Sequence, residues 1–301
     1  MQHIDGWLDL CSGVGAGFPY AGIKLWERQP NQFCEKDSYC RNILKLRYPS
    51  SNGIFADVNY LDDDDDAKPD LITASPPCQP FSVDGKRLAA TDDRNCIPAV
   101  LTAIRNYKPK FAVIENVVGL LNCPYSPGDK PGSYFGYVLD SLSASGYDAE
   151  WICIGSDEFA APWRRQRLLV IAIARCLEFD WSEVTSWQNQ IRTSIAGIEP
   201  DFSTRSRGPG IPRKWLSTPD RIHELAGESN SAGTSSSSTP GVATPGVAKV
   251  DRPQIGVASR DGDNRDRREA LGNALDWRVA AVALKRVEYL SDLAAKHWSA
   301  Y

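Results

Sequence analysis

Seven short runs rich in apolar residues recur through the first 175 residues: Trp7–Leu10, Gln32–Glu35, Gly53–Asp57, Leu71–Ala74, Phe111–Glu115, Trp151–Gly155 and Leu168–Ala174. Their length suits strands better than helices. Helical spacing lies between several of them. Ile97, Val100, Leu101 and Ile104 fall at i, i+3, i+4 and i+7, and Tyr39, Ile43 and Leu46 repeat the pattern. Such alternation predicts an α/β fold, a mainly parallel, doubly wound sheet covered on both faces. Ligands of these sheets bind beyond the carboxyl ends of the strands. The residues at those ends are polar or glycine-rich: Asp9 to Gly17, Glu35, Asp57, Ser75 to Ser82, and Glu115 with Asn116.

The pattern changes after about residue 180. Residues 203–265 are rich in Gly, Pro, Ser, Thr and Arg, with a near-repeat at Thr239 and Thr244 (Thr-Pro-Gly-Val-Ala). Turn formers at this density read either as a tether or as a small loop-rich domain that contacts a large substrate. A helical pattern returns over Leu271–Leu293, with Val279, Val282, Ala283 and Val287 on one side. The chain thus divides into a sheet domain over 1–180, a small loop-rich region over 181–268, and a C-terminal helix over 269–301 that returns to the sheet.

A net charge of −4 is not the basic balance usual for a protein that holds nucleic acid. The run Asp62 to Asp66 supplies much of it and reads as a solvated loop, while arginines gather at Arg164, Arg165 and Arg167, at Arg205, Arg207 and Arg213, and at Arg265, Arg267 and Arg268. The eight cysteines form no C-x-x-C pair and the three histidines lie far apart, so no metal site is expected. The opening does not read as a signal peptide, and no apolar stretch approaches the roughly 20 residues of a membrane span. Free thiols in a reducing, cytoplasmic setting are the expectation.

Asp9-Leu-Cys-Ser-Gly-Val-Gly-Ala-Gly17 follows the first strand. Gly13, Gly15 and Gly17 let the backbone turn tightly against a ligand, although a plain turn reads the same way. Glu35 ends the second strand, where an acid often accepts from ribose hydroxyls; Asp57 ends the third. The strongest segment is Ser75-Pro-Pro-Cys-Gln-Pro-Phe-Ser82. Three prolines fix the backbone and lack amide donors, so Cys78 sits on a rigid loop leaving a strand. A rigidly presented thiol suits nucleophilic catalysis. Glu115-Asn116-Val117 ends the fifth strand, with a carboxyl placed to protonate a ring nitrogen. Alternation before and along Leu168–Ala174 puts Arg165 and Arg167 on one face, a pair suited to a carbonyl and a phosphate or carboxylate.

Together these segments resemble the DNA cytosine-C5 methyltransferase family over about 1–175 and 268–290. Asp9–Gly17 is similar to the first cofactor motif, Ser75–Ser82 to the P-P-C-Q-x-F-S nucleophile loop, Glu115–Val117 to E-N-V, Arg165 and Arg167 to the arginines of Q-x-R-x-R, and Leu271-Gly-Asn-Ala274 to the late G-N-A motif. The resemblance implies methyl transfer from S-adenosyl-L-methionine to a cytosine flipped out of double-stranded DNA, by a monomer that needs no metal. It implies that Cys78 attacks C6, that Glu115 protonates N3, and that Arg165 with Arg167 holds the base carbonyl. It assigns Asp9, Ser12, Gly13, Gly15, Glu35, Asp57, Pro77 and Asn273 to the cofactor, and target recognition to 181–268.

Three departures stand out: Cys11 replaces the usual aromatic residue, Trp163 replaces the glutamine of Q-x-R-x-R, and Asp276-Trp277 stands where prolines are usual. The motif that ordinarily precedes the late G-N-A is not found. Two other readings stay open: the same chemistry on RNA, and a DNA-binding relative with weak or no catalysis.

Overall fold

The structure, a computed structural model, describes residues 4–61, 68–81, 89–159, 165–194, 266 and 274–298. Seven strands form one sheet: β1 (Trp7–Leu10), β2 (Gln32–Cys34), β3 (Gly53–Phe55), β4 (Leu71–Ala74), β5 (Phe111–Asn116), β6 (Tyr147–Gly155) and β7 (Gln166–Ala174). Their spatial order is β3-β2-β1-β4-β5-β7-β6. Pairings among β1 to β5 are all parallel. β7 lies antiparallel between β5 and β6. Every residue of β1, β4 and β5 is buried. Successive side chains of a strand face opposite sides, so these strands are covered on both faces.

The register sets the functional edge. Leu10 pairs with Cys34 on one side and Ala74 on the other; Cys34 pairs with Phe55 and Ala74 with Ile114. Four parallel strands therefore end level with Ile114 of β5, and the residues just beyond them emerge together. The chain runs outward from β1 through β2 to β3, then returns to β4 on the other side. The crevice between the ends of β1 and β4 is thus a topological switch point, where ligands bind in such sheets. Because β7 is antiparallel, its beginning lies at this same edge: Asn116 pairs with Leu168, and Arg167 comes just before.

Among the described residues of the first 194, five helices join the sheet: α1 (Phe18–Trp26), α2 (Ser38–Arg47), α3 (Ile97–Tyr107), α4 (Ser133–Ala144) and α5 (Trp187–Ser194). In α3 the predicted face Ile97, Val100, Leu101 and Ile104 is buried. In α2 the predicted face is wrong. Leu46 is 46% exposed, and Cys40 and Leu44 are buried instead. Asp37 caps this helix by accepting from Cys40 N at 2.8 Å; Cys40, Leu44 and Tyr48 are buried, the last two packed with Phe33.

The C-terminal helix α6 (Trp277–Trp298) packs against α1 and α5. Val279, Val282, Ala283 and Val287 are buried as expected, but so are Ala280, Ala281 and Leu284, so it is enclosed over a wide arc. Arg286, 2% exposed, binds both carboxylate oxygens of Glu150, the carbonyl of Thr185 and Gln190 Oε1. That one guanidinium fastens β6, α5 and the chain before α5 to α6. Residues 181–194 therefore pack with the sheet domain. The Asp62–Asp66 run, residues 195–265 and the Gly272-Asn273 motif lie outside the described residues.

Candidate active site

The turn after β1 is held from three directions. Ser12 N donates to Cys34 O at 3.2 Å, and Gly15 N to Ser12 O at 2.9 Å. Arg47 donates to Val14 O at 2.6 Å, and Tyr48 OH donates to Gly15 O. Gly13 N donates to Glu35 Oε2 at 2.7 Å. Gly13 and Gly15 have φ of +55° and +70°, where side chains are strained. They serve different ends. A Cβ on Gly15 would sit 2.4 Å from the Tyr48 ring, whereas one on Gly13 would meet nothing within 4 Å. Gly13 thus leaves the backbone open to the cavity; Gly15, expected among the cofactor contacts, has no room for a side chain between Tyr48 and Leu44.

Asp9 lies beneath this turn, 2% exposed, and accepts from Thr73 Oγ1, which accepts in turn from Trp7 Nε1 at 2.8 Å. Burial pushes its carboxyl up to about 7, against the lowering pull of the Thr73 and Ser12 hydroxyls. A carboxyl raised by folding contributes stability below its unfolded value near 3.8, lost as pH rises through about 7. Asn keeps the acceptor for Thr73 but cannot ionise. Wild type should therefore lose on the order of a few kcal/mol relative to Asp9→Asn between pH about 4 and about 7. Denaturant unfolding of both proteins across that window checks this; a constant difference refutes it.

Glu35 sits just past β2. Its Oε2 accepts from Gly13 N and its Oε1 from Asp37 N at 2.8 Å. Burial raises its carboxyl, and these backbone donors oppose the rise. Asp57, two residues past β3, accepts from Asn59 N at 3.0 Å and from Asn59 Nδ2 at 2.8 Å, with Lys36 Nζ 3.7 Å away. These bonds hold its carboxyl below the usual range.

The cysteine loop leaves β4 at the switch point. Ser75 N donates to Leu10 O at 3.1 Å, Asn116 Nδ2 to Pro76 O at 3.2 Å, and Phe81 N to Cys78 O at 3.0 Å. The loop is thereby anchored to the ends of both β1 and β5. Glu115, 7% exposed, is the penultimate residue of β5. Arg167 Nε lies 2.7 Å from its Oε1. Burial raises the Glu115 carboxyl, while Arg167 and then Arg165 pull it back. Burial and the neighbouring Arg167 lower Arg165. Arg167 is thus ion-paired with Glu115, and Arg165 lies close enough to act on the same carboxyl.

One cavity of about 530 Å³ joins these groups. Asp9, Ser12, Gly13, Glu35, Asp57 and Pro77 line it, together with Cys78, Glu115, Arg165 and Arg167. Asn273, Ser82 and Trp163 lie outside the described residues. Sequence reasoning overlooked other lining residues, among them Arg94, Asn95 and Cys96. Arg94 is locked by Asp92, with Nε–Oδ1 at 2.9 Å and Nη2–Oδ2 at 2.7 Å, and Asn95 donates to Tyr134 OH at 2.6 Å. An acid two residues before an arginine, next to a helix start, was the available signal. Gln79 Oε1 is buried without a partner among the described residues. Among those residues there is no group of three or more side chains placed to hold a metal ion, and no helix long and apolar enough to cross a membrane.

Residues 7–249 match the family model described as C-5 cytosine-specific DNA methylase. Among curated proteins, Type II methyltransferase M.BsuFI of Bacillus subtilis is 30% identical over 169 residues, 54% of this chain and 38% of that protein. Type II methyltransferase M.NgoBI of Neisseria gonorrhoeae is 27% identical over 237 residues, 75% of this chain and 70% of that protein. The chain spans about half the length of the first relatives it matches. Among solved structures, Spodoptera frugiperda DNMT2 is similar with a TM-score of 0.55 at 13% identity, covering 93% of this chain and 99% of that one. Entamoeba histolytica methyltransferase EhMeth gives 0.55 at 16% identity, covering 95% and 98%. These two likenesses speak to the fold.

Proposed function

Since this chain belongs to the C-5 cytosine-specific DNA methylase family, we propose that it is a DNA (cytosine-5-)-methyltransferase acting on double-stranded DNA with S-adenosyl-L-methionine as methyl donor. The observation that carries the reading is the convergence of Cys78, Glu115, Arg165 and Arg167 on the cavity that also holds the glycine turn. The Type II names of its relatives favour a modification enzyme. A monomer working in the cytoplasm completes the proposal.

The cavity's chemistry fits the donor. Gly13 leaves room where a side chain would intrude, and both Glu35 and Asp57 face the cavity with carboxylates already oriented by their own backbone neighbours. Such acceptors suit ribose hydroxyls and an amino group. Asp9, Ser12, Pro77 and, in the proposal, Asn273 complete the enclosure. Bound S-adenosylmethionine supplies the electrophilic methyl group.

The protein's residues do the rest. A cytosine must leave the stack to reach the cavity, because C5 and C6 are inaccessible within it. The Cys78 thiolate adds to C6. Glu115 protonates N3 so that charge does not build on the ring. Arg167, fixed by Glu115, and Arg165 beside it offer donors to the base carbonyl. Activated C5 takes the methyl, loses its proton, and Cys78 is expelled. We assign the choice of DNA sequence to the loop-rich region 181–268, whose arginines suit phosphate and guanine contacts.

Incubation with duplex DNA and labelled donor, followed by bisulfite sequencing, tests the whole reading. Protected cytosines at a recurring site are expected. Label entering RNA alone moves the substrate, and cofactor binding without transfer to either leaves a binding protein. The donor site has its own test. Glu35→Ala removes both a ligand acceptor and the acceptor for Gly13 N, so calorimetric affinity should fall by about 5- to 150-fold, equivalent to about 1–3 kcal/mol. Glu35→Gln, which keeps one acceptor oxygen, should fall less. Unchanged affinity in the alanine variant moves the contact elsewhere.

A further inference from the structure

Cys11 and Cys96 come from elements 85 residues apart, yet their sulfurs lie 3.3 Å from each other. Cys11 follows β1 with φ of +53°, a region that non-glycine residues rarely occupy, and so it holds its thiol in an unusual direction. Cys96 caps the start of α3. Both are half-buried and both line the cavity assigned above to the methyl donor. The proposed chemistry uses neither. Cys34, the third thiol nearby, is buried, and the sulfur in contact with Cys11 is that of Cys96. The hydrogen bond to Cys96 and burial push the Cys11 thiol well up.

We propose that Cys11 and Cys96 form a redox-active dithiol that accepts small peroxides and, once oxidised, weakens donor binding reversibly. The inference rests on the assignment of this cavity to the donor. The Cys96 thiolate meets the peroxide and attacks an oxygen, breaking the O–O bond and giving a sulfenic acid and hydroxide. The Cys11 thiol resolves it, displacing the sulfenic oxygen as water and forming the S–S bond; its proton ends in water. Two thiols are oxidised and one peroxide is reduced to two waters. To reach the disulfide length of about 2.05 Å the sulfurs must close by roughly 1.3 Å. That closure draws the β1 exit toward α3. Ser12 and Gly13 follow Cys11 directly, so the tether pulls on the glycine turn where the donor is to lie.

The test uses the full chain carrying Cys78→Ser, which keeps the nucleophile from being the oxidised group. After treatment with hydrogen peroxide, peptide mapping without reductant should find a cross-link joining Cys11 and Cys96, lost on adding dithiothreitol. Calorimetric affinity for S-adenosylmethionine should fall by about tenfold or more and recover with reductant. Cys96→Ser in the same background, whatever its starting affinity, should show no change in affinity on peroxide treatment. Absence of the cross-link overturns the proposal, and so does a cross-link that leaves affinity unchanged. If the reduced protein does not bind the donor at all, the donor reading fails and the inhibitory half of the proposal fails with it; peptide mapping decides the pairing of the thiols separately.

Discussion

Cys78→Ser should abolish methyl transfer, lowering turnover on the order of 10⁴-fold or more, the scale seen when a covalent nucleophile is removed. Serine nearly matches cysteine in size, so the loop should keep its shape. Its anchors are backbone bonds and Asn116, which do not involve the sulfur: Ser75 N to Leu10 O, Asn116 Nδ2 to Pro76 O, and Phe81 N to Cys78 O. What changes is the nucleophile. A hydroxyl is scarcely ionised at neutral pH and needs a base to activate it. Here an acid lining the same cavity, Glu115, is engaged by Arg167 at 2.7 Å. Duplex DNA carrying 5-fluorocytosine separates binding from chemistry. Fluorine cannot leave C5 as a proton, so wild type should be trapped as a complex that survives denaturation. The serine variant should bind the same DNA and leave no trapped band. A persistent band would remove Cys78 from the role of nucleophile.

The strands were legible because this sheet buries them on both faces. A strand enclosed on both sides needs a near-continuous apolar run, and Trp7–Leu10, Leu71–Ala74 and Phe111–Ile114 supply one each, broken only at Asp9 and Thr73, which bond each other. The direction of β7 was not legible. Its residues would read the same in either sense, and only the pairing of Asn116 with Leu168 reveals that Arg167 begins the strand beside Glu115. Residue spacing suggested that Arg165 and Arg167 share a face, but not that both act on Glu115. The α2 face was misread because three apolar residues at helical spacing, Tyr39, Ile43 and Leu46, outweighed Cys40 and Leu44, the residues that are buried. The contact of Cys11 with Cys96 is tertiary and left no local signal. That Gly15 must also clear the Tyr48 ring is a tertiary requirement with no local signal.

Glu115→Gln should fold, bind donor and DNA, and turn over about 10²- to 10⁴-fold more slowly, the usual weight of a positioned proton donor. The amide oxygen still offers Arg167 Nε an acceptor, so the geometry at the end of β5 should persist. The proton does not. In wild type the carboxyl is 7% exposed, and burial raises it against the pull of Arg167 and Arg165. The raised value keeps a share of the acid form available to N3 at higher pH than an exposed glutamate would. Donation by that acid fades as pH rises through the raised value, so the wild-type rate should decline on that side. Glutamine has no such ionisation, and its slow rate should lack this limb. Single-turnover rates across pH, with donor and DNA both saturating, read the two profiles directly. Trapping by 5-fluorocytosine DNA should also be slower in the variant, because addition of Cys78 to C6 needs N3 protonated. Wild-type turnover, or a pH profile identical in both proteins, would take Glu115 out of the proton transfer and leave it as the residue that orients Arg167.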